Sequence, residues 1–145
     1  MQVSLPDEAA TIELAQKLTK VVRAGDVVLL AGPLGAGKTS FARAFIRALS
    51  GDAGLTVPSP TFTLVQQYEA GEVTIWHYDL WRLQDHTALE ELGWDEAQSG
   101  IVLVEWPDRL GPLMPEGALF VTLAHAGDGR VADLQGPDKF LRVAV

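Results

Sequence analysis

The chain contains no cysteine, which excludes disulfides and thiolate metal sites and agrees with a reducing compartment. It contains no asparagine either, so it cannot carry the N-K-x-D sequence with which regulatory GTPases read guanine. No apolar run is long enough to span a bilayer. No basic-then-apolar leader stands at the N-terminus, so no secretion signal or membrane association is expected and the expected location is cytoplasmic. Repeats of 20–50 residues and low-complexity segments are absent as well. Basic residues are scarce, 11 Lys and Arg against 19 Asp and Glu, for a net charge of −8. The imbalance is uneven: residues 1–50 carry six basic side chains against four acidic ones, and the remainder carries five against fifteen. Such an acidic chain does not bind nucleic acid tightly by neutralising phosphates alone, so any role with RNA calls for a partner that supplies the basic surface. A length of 145 residues suits a single domain, 1–145, with one core.

What is present is concentrated in one stretch. Gly32 to Thr39 read G-P-L-G-A-G-K-T, a complete phosphate-binding loop of the form G-x-x-x-x-G-K-[ST]. The apolar run Val27-Val28-Leu29-Leu30-Ala31 before it reads as a buried strand. Thr39 to Leu49 after it reads as a helix, with Phe41, Phe45, Ile46 and Leu49 three and four apart. Strand, glycine loop and helix are the setting this motif requires. Glycines at 32, 35 and 37 let backbone N–H groups converge on an anion without a Cβ in the way. The helix beginning near Lys38 adds the positive end of its dipole. The Lys38 ammonium can neutralise β- and γ-phosphate oxygens, and the Thr39 hydroxyl can ligate Mg²⁺, which takes few protein ligands. The fold expected is a three-layer α/β sandwich of the P-loop NTPase kind, a central mostly parallel sheet with helices on both faces. Without the guanine reader, adenine is the better match for the base.

Along the rest of the chain, Val3 to Leu5 reads as a short edge strand stopped by Pro6. Asp7 to Val22 reads as an amphipathic helix with Ile12, Ala15, Leu18 and Val22 on its apolar side. Ser50 to Pro60 reads as a loop. Thr61 to Tyr68 and Val73 to Asp79 flank Ala70-Gly71 as a hairpin or paired strands. Thr87 to Gln98 reads as wholly or partly helical, and its acids, with Asp85, fit a docking face or, more simply, a solvated helix face. Ile101 to Glu105 is a continuous apolar run ending in a carboxylate, as a central parallel strand should be. Ala118 to His125 and Val131 to Val145 read as further strands.

Hydrolysis needs a second metal anchor and a group that orients water. Glu105 closes an apolar strand and Asp79 a mixed one, V-T-I-W-H-Y-D, and ligands in open α/β sheets lie at the C-terminal ends of strands. The alternative for each is an acid that caps its strand or pairs with Arg82 or Arg109. The loop V-P-S-P-T-F, residues 57 to 62, follows the phosphate-loop helix, where nucleotide switches carry a γ-phosphate-sensing hydroxyl. Thr61 and Ser59 are the candidates, against a plain proline turn. His77 reads as a core or surface histidine, and the four tryptophans read as core. Trp106, directly after Glu105, is the one placed to line a site.

In this order and length, five segments resemble one family, the bacterial ATPase of tRNA threonylcarbamoyladenosine synthesis called TsaE. They are L-P-D-E-A-A-T at 5–11, G-P-L-G-A-G-K-T-S at 32–40, S-P-T-F-T-L-V at 59–65, H-Y-D-L-W-R-L at 77–83 and V-E-W-P-D-R-L at 104–110. The last three are far more specific than the loop. Trp81 stands where the family usually has Tyr, and the chain after Arg109 matches weakly. The resemblance implies ATP and Mg²⁺ as cofactors. It also implies slow hydrolysis of ATP unless partners engage, and action with the pair of subunits that transfers threonylcarbamoyl to the adenosine beside the anticodon. The tRNA would be reached through those partners. By matching position, Thr11 would contact the nucleotide near the base, and Gly35, Ala36, Gly37, Lys38, Thr39 and Ser40 would hold the phosphates. Thr39 and Glu105 would ligate Mg²⁺. Lys38, Asp79 and Glu105 would form the catalytic centre, with Trp106 beside it and Thr61 in a switch-like loop. Any adenine contact in the weakly matching part after Arg109 would fall around Arg130 to Asp133. Two other functions could use the same loop: a small-molecule kinase and a nucleotide-binding adaptor that does not hydrolyse.

Overall fold

Strand β2 (Val27–Ala31) is the axis of the molecule: it lies mid-sheet and hands the chain directly to the phosphate loop. The computed structural model describes residues 1–145. Its single seven-stranded sheet has the order β1 (Gln2–Leu5), β7 (Gly129–Gln135), β6 (Leu119–Ala126), β2, β5 (Ile101–Glu105), β4 (Val73–Asp79), β3 (Val65–Ala70). The four strands β6, β2, β5 and β4 run parallel. The outer strands β1, β7 and β3 join them by antiparallel pairing, so the parallel core expected from the apolar runs is framed by antiparallel edges. Strands covered on both faces must be apolar on both, which is why β2 and β5 read as unbroken hydrophobic runs.

Alternation along those strands divides the core in two. Val28, Leu30, Ile75, Ile101 and Leu103 face α1 (Glu8–Thr19), α2 (Lys38–Ser50) and, further along, Phe140 of the C-terminal helix. Val27, Leu29, Trp76, Tyr78, Val102 and Val104 face the other way, against Leu80, Leu83, Leu89 and Leu110. Helices do cover both faces, but unequally. On the second face the cover is 3₁₀ turns at His86–Leu92 and Pro107–Leu113 and a four-residue α3 (Trp94–Ala97). Trp94 closes that layer edge-on to Tyr78, ring centroids 5.2 Å apart.

Three local expectations shift. Asp7 is the N-cap of α1, its carboxylate accepting from the Ala10 N–H at 2.9 Å, and the helix ends at Thr19 rather than Val22. Its buried stripe is Thr11, Leu14, Ala15 and Leu18; Ile12 sits at the edge of that stripe, half-buried. The hairpin strand β3 begins at Val65, because Thr61 to Leu64 form a turn closed by Leu64 N–H on the Pro60 carbonyl at 2.7 Å. The C-terminal strand reading is corrected. Gly136-Pro137 ends β7, and Asp138–Ala144 forms the helix α4. Its Phe140 and Ala144, four apart, are buried, and α4 packs on α1. No helix is long and apolar enough to cross a membrane.

Candidate functional site

The phosphate loop is shaped by its backbone. Gly32, Gly35 and Gly37 have φ of 137°, 77° and 103°, a region costly for residues with a Cβ. At Gly32 a Cβ would also run into the Leu123 carbonyl oxygen on β6. Gly37 starts α2 with no side-chain cap, so the N–H groups of the first turn are left for whatever occupies the loop. The Lys38 side chain is folded over the loop, its Nζ donating to the carbonyl oxygens of Gly32 and Pro33, the latter at 2.9 Å. The same ammonium lies 4.3 Å from the ring centroid of Trp106. Burial pushes the Lys38 pKa below its ordinary value, while the carboxylates of Glu105 and Asp79 pull the other way.

Opposite the loop stand the two strand-end carboxylates. Parallel pairing of β4 with β5 sets Asp79 directly beside Glu105. By the same alternation as Ile75 and Ile101, both side chains lie on the α2 face of the sheet. They are only 5 % and 3 % exposed, and buried charges need partners. Asp79 has two: Oδ1 accepts from the Trp81 N–H at 3.0 Å and Oδ2 from the Thr61 hydroxyl at 3.1 Å. The Ser59 hydroxyl meets that of Thr61 at 2.8 Å, so the 57–62 loop is tied to the end of β4. Glu105 Oε2 lies 2.7 Å from His77 Nε2. Trp106, next in sequence, takes a left-handed backbone conformation (φ 60°, ψ 55°) rare outside glycine. Its ring packs against Trp81, centroids 4.4 Å apart.

These groups enclose a cavity of about 390 Å³ lined by Lys38, Thr39, Thr61, Asp79, Glu105 and Trp106, with Gly35, Gly37 and Ser40 on the loop side. A second cavity, about 240 Å³, lies on the far side of the loop; Gly35, Gly37 and Ser40 line both. Thr11 and Arg130 line the second cavity, and Arg130 Nη2 donates to the Gly35 carbonyl at 3.0 Å. Of residues 35–40, expected to hold the phosphates, Ala36 alone lines neither cavity: its side chain is in the core, and only its backbone can face a ligand. No group of three or more His, Cys, Asp or Glu side chains is arranged to hold a metal unaided. Mg²⁺ takes one or two carboxylates and the rest of its shell from phosphate and water. The Thr39 hydroxyl and the Glu105 carboxylate in one cavity are the donors such an ion would use.

His77 reads from sequence as a core or surface histidine, and it is buried, but its tie to Glu105 is not legible there. Its spacing from Asp79 places both on one strand face, but its contact with Glu105 appears only once β4 is paired with β5. The hydrogen bond from Arg130 to the loop was likewise beyond reach, the two residues being 95 apart.

The chain matches the family model of the threonylcarbamoyl adenosine biosynthesis protein TsaE over residues 5–132. It is 40% identical over 121 residues to the tRNA threonylcarbamoyladenosine biosynthesis protein TsaE of Rickettsia conorii, covering 83% of this chain and 69% of that one. To the protein of the same name in Bacillus subtilis it is 37% identical over 127 residues, 85% of this chain and 75% of that one. Its fold is similar to the crystal structure of YdiB from Bacillus subtilis, with a TM-score of 0.77 and 27% identity over 99% of this chain and 90% of that one. Carried from residue 5 to beyond the sixth strand and matched in three dimensions as well, the likeness establishes that the chain belongs to the TsaE family.

Proposed function

We propose that this protein is a Mg²⁺-dependent ATPase required for threonylcarbamoyladenosine modification of tRNA, working with the subunit pair that transfers the threonylcarbamoyl group. The observation that carries the ATPase reading is the cavity itself. A phosphate loop with its lysine and threonine faces two buried carboxylates across about 390 Å³. The relatives' names carry the link to tRNA modification.

In this reading the first-turn N–H groups of α2 receive phosphate oxygens, and Lys38 exchanges its loop carbonyls for the β- and γ-phosphates. A bound Mg²⁺ would supply Lewis-acid stabilisation of the developing negative charge. Thr39 and Glu105, which line the same cavity, would hold the ion. Asp79, whose two oxygens are oriented by Trp81 and Thr61, faces the same space and positions the attacking water. Because Thr61 belongs to the 57–62 loop, a partner that moves this loop would change the orientation of Asp79 and with it turnover. The cavity containing Thr11 and Arg130 is the place for the nucleoside. The acidic surface leaves tRNA to be held mainly by the partners.

A kinase reading has less support. Kinases of small molecules close over the acceptor with several arginines. Here Arg82 stacks on Phe62 at 4.6 Å and Arg130 is bonded to the loop, so these two do not converge on an acceptor. The adaptor reading predicts no turnover. The test is steady-state hydrolysis of ATP by the purified protein with and without Mg²⁺. Release of free phosphate supports the ATPase, transfer of phosphate to a metabolite the kinase, and binding without turnover the adaptor. In cells depleted of the protein, threonylcarbamoyladenosine should disappear from total tRNA; normal levels would contradict the assignment.

A further inference from the structure

We propose that His77 is a positioning residue that fixes the Glu105 carboxylate for the divalent cation, an inference that rests on the Mg²⁺-nucleotide reading above. His77 lies within β4, 2 % exposed, on the face that carries Ile75 and Asp79 and opposite Leu103 of β5. An aliphatic side chain would suit that position better for stability. The imidazole Nδ1 is buried with no hydrogen-bond partner, and an unpaired polar atom in a core carries a desolvation cost. What the imidazole adds is its other nitrogen. Nε2 lies 2.7 Å from Glu105 Oε2, and because a carboxylate only accepts, Nε2 carries the hydrogen and donates it.

The direction of that bond matters. His77 is two residues before Asp79, and Asp79 is the register partner of Glu105. The imidazole therefore sits behind the carboxylate, on the sheet side and away from the strand ends where the phosphate loop stands. One oxygen of Glu105 is held from behind, leaving Oε1 for the cavity. The restraint also works against a competing attraction. The Lys38 ammonium is near enough for Glu105 to influence its protonation, yet Lys38 bonds to the loop carbonyls and makes no ion pair with Glu105. A carboxylate tethered by His77 stays where a metal can use it, whereas a free one could swing onto the lysine and neutralise the charge needed by phosphate. A hydrogen-bond donor behind a metal-binding ligand is a common way to set its orientation.

The test compares His77→Met, which removes the donor, with His77→Gln, whose amide reaches the position of Nε2. The readouts are Mn²⁺ affinity of the ADP complex by electron paramagnetic resonance, ADP affinity in excess chelator, and thermal midpoint. With the donor removed, Mn²⁺ affinity should fall about 10- to 100-fold, metal-free ADP affinity should hold, and His77→Gln should recover most of the loss. If His77→Met does not fold, His77→Asn takes its place, a polar side chain too short to reach Glu105. A wild-type ADP complex that binds no Mn²⁺ would overturn the metal reading and this proposal with it. Metal binding in the wild type that survives donor removal, with only the thermal midpoint lowered, would overturn the positioning role alone. Equal loss in the Met and Gln variants would also overturn it.

Discussion

The phosphate loop and the strand-end cluster face each other across one cavity, and they are built in opposite ways. The loop is eight consecutive residues, Gly32 to Thr39, and it presents partial positive charge from backbone N–H groups, with one ammonium added. The cluster collects side chains from separate segments, Thr61, His77, Asp79, Glu105 and Trp106, and it presents negative charge. Positive φ at three glycines shapes the loop. The cluster is held by strand register, which sets Asp79 beside Glu105. Changes in the loop should therefore act on phosphate binding whether or not metal is present. Changes in the cluster should act on metal-dependent chemistry and spare metal-free binding.

That contrast can be broken most forcefully at Lys38. Lys38→Ala should lower ATP turnover about 100- to 1,000-fold, the loss seen when one preorganised donor to developing charge is removed. ADP affinity should weaken with and without metal, measured by calorimetry; unchanged metal-free affinity would place the lysine outside the phosphate site. Glu105→Ala should come next, lowering Mg²⁺-dependent turnover about 100-fold while ADP binding in chelator is retained. Turnover surviving that change would mean that Glu105 only closes its strand. The smallest effect should follow Thr61→Val, which removes one hydrogen bond to Asp79. A hydrogen bond to a charged carboxylate contributes about 1.5 kcal/mol, so turnover should fall about tenfold with little change in nucleotide affinity. A fall as large as that for Glu105 would sharpen the picture by making the 57–62 loop part of the chemistry itself.

The same contrast explains what could be read in advance. The loop, β2 and α2 were legible because all their information lies within one stretch of sequence. Glu105 was legible as the acid ending an apolar run and Asp79 as the acid ending a mixed strand, but their adjacency depends on a register no single strand encodes. The partnership of His77 with Glu105 spans 28 residues and has no local signature. At the C-terminus, F-L-R-V-A-V carries too few residues for a helical period to stand out from a short strand. Only the packing of Phe140 and the end of β7 before Gly136-Pro137 decide for a helix. On the second face, the stretch read as helical divides into a 3₁₀ segment and a short α3, because Gly93 takes a left-handed conformation between them.

In the proposed function, the cavity hydrolyses ATP under the control of partners. The most direct test is steady-state ATP hydrolysis by the purified protein, alone and then with the threonylcarbamoyl-transferase subunit pair added. Slow Mg²⁺-dependent turnover that rises when the pair is present is the expected result. Turnover indifferent to the pair, or absent in both conditions, would contradict it.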